Sequence, residues 1–187
     1  MISLCIKNQQ PFGVVLIKSG EEALAGFAEP YSIGCTAQIS EVQKLAGGKM
    51  NISALGQERF KIISLDAGGV YLIAEVEDNP LIIEDVEKLD EQGKLLQQQL
   101  EKLIVVLMKA GGEEYDKIQL PEDPVALAYI ASSILQIPPL QKQILLEFDQ
   151  ASDLLSSVRA LYRRELALLK VIVTKKDTPG EAKFSVN

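Results

Sequence analysis

The sequence predicts an α+β protein: an antiparallel, β-rich, partly open barrel-like subdomain followed by a helical bundle. Three observations carry that reading. Up to Pro80 the apolar residues recur mostly with the two-residue period of a half-buried strand, punctuated by the pairs Gly47-Gly48 and Gly68-Gly69. From Ile82 to about Thr174 the period becomes helical, interrupted at Gly111-Gly112 and Ile137-Pro138-Pro139. No repeat of solenoid length is visible. The resulting boundaries are a β-rich subdomain over 1–80, a helical subdomain over 81–173 and a polar tail over 174–187.

Met1–Asn8 reads as the end of a helix, with Ile2, Cys5 and Ile6 on one face. Phe12–Ile17 is a continuous apolar run, expected as a strand buried on both faces. Ser19–Pro30 reads as a loop. Ile33, Cys35, Ala37 and Ile39 then alternate with polar residues, and the phase slips at Ser40-Glu41, where a bulge is expected. Gly47-Gly48 turns the chain into a strand with Met50, Ile52, Ala54, Phe60 and Ile62 on one face, interrupted at Gly56. After Gly68-Gly69 come Val70, Leu72, Ala74 and Val76. Strong alternation implies one buried and one wet face, and closure toward a barrel would hide the edges.

The helical half opens with a long helix whose expected stripe is Val86, Leu89, Leu96, Leu100, Leu103 and Leu107. Asp123-Pro124 starts the next helix with an acidic cap and proline in the first turn, burying Leu127, Ile130, Ala131 and Ile134. A short helix runs from Pro138-Pro139 through Phe148. The last helix, Ala151–Val173, presents Leu154, Val158, Leu161, Leu168 and Ile172.

A chain of 187 residues suffices for one domain or two small subdomains sharing a core. Its 47% apolar and 24% charged residues are ordinary globular usage. Acidic residues outnumber basic ones by 26 to 19, a net charge of −7, which argues against a nucleic-acid partner because phosphate binding draws on Lys and Arg. Arg159, Arg163, Arg164 and Lys170 alternate with leucines as a solvated helix face does. Cys5 and Cys35 read as buried free thiols rather than a disulfide framework. No signal peptide opens the chain, and runs such as Leu103–Met108 are too short to span a bilayer. A soluble, cytoplasmic protein with no membrane partner is expected.

The sequence contains no histidine, which removes the commonest general base, the usual nucleophile–histidine systems and most catalytic zinc sites. There is no P-loop pattern and no nucleophile elbow. The acidic pairs Glu21-Glu22, Glu84-Asp85 and Glu113-Glu114 fall in loops or at helix ends, where solvation or the helix dipole explains them. No catalytic residue, metal ligand or cofactor is expected.

The segment Gly48–Ile62 (GKMNISALGQERFKI) resembles the G-[RK]-x-x-x-x-x-x-G-x-x-R-F-x-I segment of the Lon protease N-terminal domain family. Pro11–Val15 and Ile33–Ile39 are similar to that family's P-F-G-V-V and I-G-[CT]-x-A-x-I strands. Ile130–Ser132, Gln143–Glu147 and the Arg164–Leu166 region resemble its later helices. The similarity covers about residues 1–172. It implies a β-rich subdomain before a helical one, a role in recognising unfolded or degron-bearing polypeptides, and no catalysis by this segment itself. Stand-alone proteins of this domain occur in bacteria and plastids, so a plastid location is the eukaryotic alternative.

Two departures stand out. Val70 occupies a position often proline in the family. Family members also begin with an L-P-L-F-P-L strand and a helix, whereas Met1–Cys5 matches only the end of that helix. The expectation is an unpaired sheet edge, repaired by a homodimer or domain swap, or an internal methionine of a longer Lon-like product.

The resemblance directs attention to exposed apolar groups. Leu55 falls on the otherwise polar side of its strand, Phe27 and Tyr31 lie before the second strand, and Arg59 could meet an acidic partner. Ordinary packing is the alternative for the first three, and a structural ion pair for Arg59. The rival functions are an assembly domain, a peptidase acting alone, and a small-molecule pocket.

Overall fold

The computed structural model describes residues 1–20, 28–69, 71–111 and 119–176. The chain divides into two compact units. The first joins Met1–Ile82 to Pro138–Asp149, and the second joins Ile83–Ile137 to Gln150–Asn187.

The first unit opens with α1 (Ile2–Asn8), closed by Gln9 in a left-handed conformation (φ 54°) that turns its backbone back to the Cys5 and Ile6 carbonyls. Six strands follow: β1 (Phe12–Val14), β2 (Ile17–Ser19), β3 (Glu29–Pro30), β4 (Ile33–Lys44), β5 (Met50–Asp66) and β6 (Ile73–Asp78). They form one sheet in the order β1-β4-β5-β6 and a two-stranded sheet of β2 and β3, antiparallel throughout. The sheet is open, with β1 and β6 at its edges.

The apolar run Phe12–Ile17 is not one doubly buried strand. It bends at Val15-Leu16 and divides between the two sheets, and Val14 is exposed. The physical reason is position: β1 pairs only with β4, so as an edge strand it has one neighbour instead of two.

Gly47 and Gly48, at φ 74° and 75°, form the tip between β4 and β5, a backbone region that side chains disfavour. The expected bulge is present: Ile39 pairs with Ala54 and Glu41 with Ser53, leaving Ser40 as the extra residue. Gly56 pairs with Ala37 and Arg59 with Cys35, so β5 carries an extra residue just after Gly56. That insertion breaks the single apolar face expected from Met50 through Ile62, because one extra residue swaps the faces.

Phe60 is buried at the centre of this sheet. A Cβ added at Gly34 would stand 2.8 Å from the Phe60 ring, 2.5 Å from Val15 Cγ1 and 2.6 Å from the Val14 carbonyl. One added at Gly13 would stand 3.2 Å from the ring. Two strands thus give up side chains so that one aromatic ring can approach their backbones.

The return segment contains α4 (Pro139–Leu146), with Gln143 and Leu145 buried. Three hydrogen bonds tie it to the strand region. Gln143 Nε2 donates to the Ile33 carbonyl at 3.0 Å. Arg59 Nη1 donates to the Phe148 carbonyl at 2.8 Å. The Ile82 amide donates to the Asp149 carbonyl at 2.8 Å.

The second unit consists of α2 (Val86–Gly111), α3 (Pro124–Ile134) and α5 (Ala151–Lys176), each packed on the other two. The Asp123 carboxylate accepts the Ala126 amide at 2.6 Å, capping α3 with Pro124 in its first turn. Asp85 accepts the Lys88 amide at 3.0 Å in the same manner before α2. Leu89, Leu96, Leu100 and Leu103 of α2, Leu127, Ala128 and Ala131 of α3, and Leu154, Leu155, Val158 and Tyr162 of α5 are buried.

Four residues expected in buried stripes are exposed: Val86, Leu107, Ile130 and Leu168. A helix buries only the arc and the length that a neighbour covers. Val86 is the first residue of α2, and Leu107 and Leu168 sit in late turns. In α3 the small Ala128 and Ala131 occupy the contact and leave Ile130 outside. Gly93 makes a similar close approach possible in α2, where a Cβ would stand 2.9 Å from the Pro124 ring.

Tyr162 is the largest fully buried side chain among the described residues, and its hydroxyl donates to the Ala131 carbonyl at 2.9 Å. Burial pushes its phenol pKa well up from 10.0.

Two outcomes are expected. Gly34→Ala should destabilise the protein by about 2–3 kcal/mol, read as a lower urea midpoint, because the new methyl meets backbone and a fixed ring. Tyr162→Phe should cost about 1 kcal/mol at neutral pH through the lost hydrogen bond. Since the folded phenol pKa is raised, the stability it contributes is complete below 10.0 and falls as pH rises above it, when the unfolded chain ionises first. The gap between wild type and Tyr162→Phe in urea titrations should therefore narrow above pH 10.0.

Candidate polypeptide-binding surface

The β5–β6 pair gathers most of its apolar side chains on one face and most of its charged ones on the other. Its register sets Ile62 opposite Val76 and Leu65 opposite Ala74 on one face. Lys61 opposite Glu77, Ser64 opposite Glu75 and Asp66 opposite Ile73 occupy the other, and Phe60 opposite Asp78 ends the first. The break between Ile62 and Ser64 makes Ile63 the extra residue and keeps the two faces in phase on either side of it. The apolar side is poorly covered: Val76 is 45% exposed and Leu65 44%, and the extra residue Ile63 is exposed as well.

On the opposite face Lys61 lies 3.6 Å from Glu77, and the Ser64 hydroxyl donates to Glu75 at 3.1 Å. Both contacts are at the surface and they leave the row net acidic, since Lys61 pairs with Glu77 while Glu75 meets only a neutral hydroxyl.

β6 is the last strand of its sheet, with no strand beyond it among the described residues. The Asn79 amide donates to the Arg59 carbonyl at 3.1 Å. Antiparallel strands alternate bonded and non-bonded pairs, so the odd-numbered residues of β6 face β5. The amides and carbonyls of Ala74, Val76 and Asp78 face outward, where an added strand would meet them.

The residues singled out from the sequence do not form one cluster. Leu55 is 67% exposed, opposite Gln38 in the β4–β5 ladder. Arg59 lies four residues further along β5, about 13 Å at strand rise. It is only 8% exposed, and its Nη1 holds the Phe148 carbonyl. Its Nε and Nη2 have no hydrogen-bond partner among the described residues. Arg59 therefore joins a backbone carbonyl rather than the ion pair weighed from the sequence. Tyr31 is half-buried just before β4, its amide donating to the Leu16 carbonyl at 2.8 Å. Phe27 lies outside the described residues.

Sequence reading missed Leu65, Glu75, Val76 and Glu77 as a set. The alternation A-E-V-E was visible, but nothing in it says that its strand lies at an edge.

The remaining chemistry is sparse. Cys5 and Cys35 are free and half-buried, and burial pushes the Cys35 thiol up, toward its unreactive protonated form. Glu84 accepts a hydrogen bond from Gln150, and Asp85 caps α2. Glu21-Glu22 and Glu113-Glu114 lie outside the described residues. Among the described residues no cluster of Cys, Asp and Glu could hold a metal ion, and no helix is long and apolar enough to cross a membrane.

This mixed α/β architecture, with antiparallel sheets followed by helices, is the fold of Lon N-terminal domains. It is similar to the Lon N-terminal domain protein from Xanthomonas campestris (TM-score 0.57, 19% identity, covering 85% of this chain and 80% of that one). It is also similar to the N-terminal domain of Mycobacterium avium complex Lon protease (TM-score 0.52, 21% identity, covering 83% and 90%). The family model for the ATP-dependent protease La (LON) substrate-binding domain matches residues 1–164, and the chain belongs to that family.

Among curated relatives, the Lon protease of Paraburkholderia phytofirmans is 31% identical over 147 residues, 78% of this chain and 18% of that protein. The Lon protease of Anaeromyxobacter dehalogenans is 26% identical over 175 residues, 91% and 20%. The chain spans about a fifth of the length of these relatives, and the matches fall in the substrate-binding domain.

Leu55→Ser should change stability by less than about 0.5 kcal/mol, as for other exposed sites. Arg59→Met keeps the side-chain volume but leaves the Phe148 carbonyl unpaired, and should cost about 2 kcal/mol in urea denaturation. Equal effects of the two would contradict the different surroundings described for these residues.

Proposed function

We propose that this chain is a non-catalytic polypeptide-recognition module that binds unfolded or degron-bearing segments. The observation that carries this reading is the exposed apolar face of β5 and β6 beside an unpaired strand edge. Such an edge supplies backbone pairing that tolerates many sequences, and the apolar row beside it supplies selectivity. Membership of a substrate-binding domain family supports the same reading. Leu55 adds a second bare apolar contact on β5. Arg59 acts through the fold, by holding the return segment to the strands.

Absence of catalysis belongs to the proposal: the relatives match through their substrate-binding region, and the sequence lacks histidine and a P-loop. Fluorescence anisotropy of a labelled, permanently unfolded polypeptide, titrated without nucleotide, tests the reading. Saturable binding to the unfolded form, at least tenfold tighter than to its folded counterpart and weakened by Leu55→Ser, is the expected outcome. Equal affinity for both forms, or none for either, would overturn it.

A further inference from the structure

We infer that β6 is the docking edge itself, and that it selects extended segments in which apolar residues alternate with lysine or arginine. This rests on the recognition reading above and names its site and ligand chemistry. Ala74, Val76 and Asp78 turn their backbone groups outward, so an incoming strand pairs there in register. Its side chains then alternate between the two faces of the enlarged sheet.

On one face they extend the row formed by Ile62, Leu65, Ala74 and Val76, which Asp78 ends, and of which Leu65 and Val76 are exposed. On the other they stand beside Glu75 and Glu77, with one lysine, Lys61, paired to Glu77 and with Ile73 at the end of the row. Opposite charges in neighbouring strands favour pairing and like charges oppose it. Apolar residues are therefore favoured on the first face and basic ones on the second. The net charge of −7 adds long-range attraction for basic segments.

The same charges select against a second copy at this edge. Symmetric antiparallel pairing of β6 about Val76 would set Glu75 of one chain opposite Glu77 of the other. A strand of only six residues, rich in carboxylates, is also how sheets discourage self-association. The occupant that fits is a separate polypeptide.

The test uses the full chain and three labelled octapeptides of equal length: alternating valine and lysine, alternating valine and glutamate, and valine–lysine with its edge-facing amides N-methylated. Binding to valine–lysine at least tenfold tighter than to valine–glutamate is expected, with loss on N-methylation. The double variant Glu75→Lys, Glu77→Lys changes only exposed side chains and should reverse the preference. Circular dichroism and the urea denaturation midpoint report whether that variant remains folded. The inference is overturned if both peptides bind the wild type equally, if N-methylation has no effect, or if the folded variant keeps the basic preference. It is also overturned if sedimentation shows a dimer that Glu75→Lys, Glu77→Lys dissolves, since a second copy would then hold the edge. Binding of the unfolded polypeptide with no binding of valine–lysine would sink this inference alone. Failure of both would sink the recognition reading with it.

Discussion

The Arg59 guanidinium holds the first unit together across a long sequence separation. Its Nη1 reaches the carbonyl of Phe148, 89 residues later, and so brings Pro138–Asp149 back to strands that end by Asp78. A side chain this buried cannot keep its hydration, and a charged donor makes a stronger bond to a carbonyl than a neutral one. Around that bond the Gln143–Ile33 and Asp149–Ile82 contacts repeat the same device: a polar group of the return segment meets a backbone group of the strand region. The next residue, Phe60, spreads its ring over Gly13 and Gly34. Two consecutive positions thus serve opposite faces of β5, one through polar anchoring and the other through apolar packing.

That arrangement concentrates cohesion at one end of the sheet and leaves the rest thinly covered. Of the strands' large apolar side chains only Phe60 is buried, while Leu55, Ile63, Leu65, Ile73 and Val76 are exposed. An apolar surface of this kind is costly in water, and its placement beside an unpaired strand is what the proposed recognition role would use. The bulges matter for the same reason. The insertion after Gly56 lets Arg59 and Phe60 occupy their present faces, and the one at Ile63 keeps apolar residues together on the β5–β6 pair. Register, rather than composition alone, creates the candidate surface.

The helical unit follows a different logic. Its core is continuous from Leu89 to Leu103 along α2, matched by Leu127, Ala131, Leu154, Val158 and Tyr162 on its partners. Small residues set the spacing: Gly93 admits Pro124, and Ala128 and Ala131 occupy the contact while Ile130 faces out. Tyr162 closes the α3–α5 contact with a hydrogen bond to the Ala131 carbonyl. The arrangement has the character of a scaffold, with its polar surface left to ordinary solvation.

Much of this was legible in the sequence because it depends on local chemistry. The strand and helix periods, the Gly47-Gly48 tip, the Ser40 bulge and the Asp123 cap are decided by backbone preferences acting over a few residues. The exposure of Leu55 could be read from its place on a polar strand face. Three matters required the tertiary structure. Residues 138–149 join the strand unit because buried donors on one segment find carbonyls on another, and no local pattern encodes the partner. Arg59 is a buried anchor rather than a surface cation because the bulge turns it inward. Glu75, Val76 and Glu77 make a candidate binding edge because β6 has no outer neighbour, and edge or centre is a property of the assembled sheet, which alternation along one strand cannot specify.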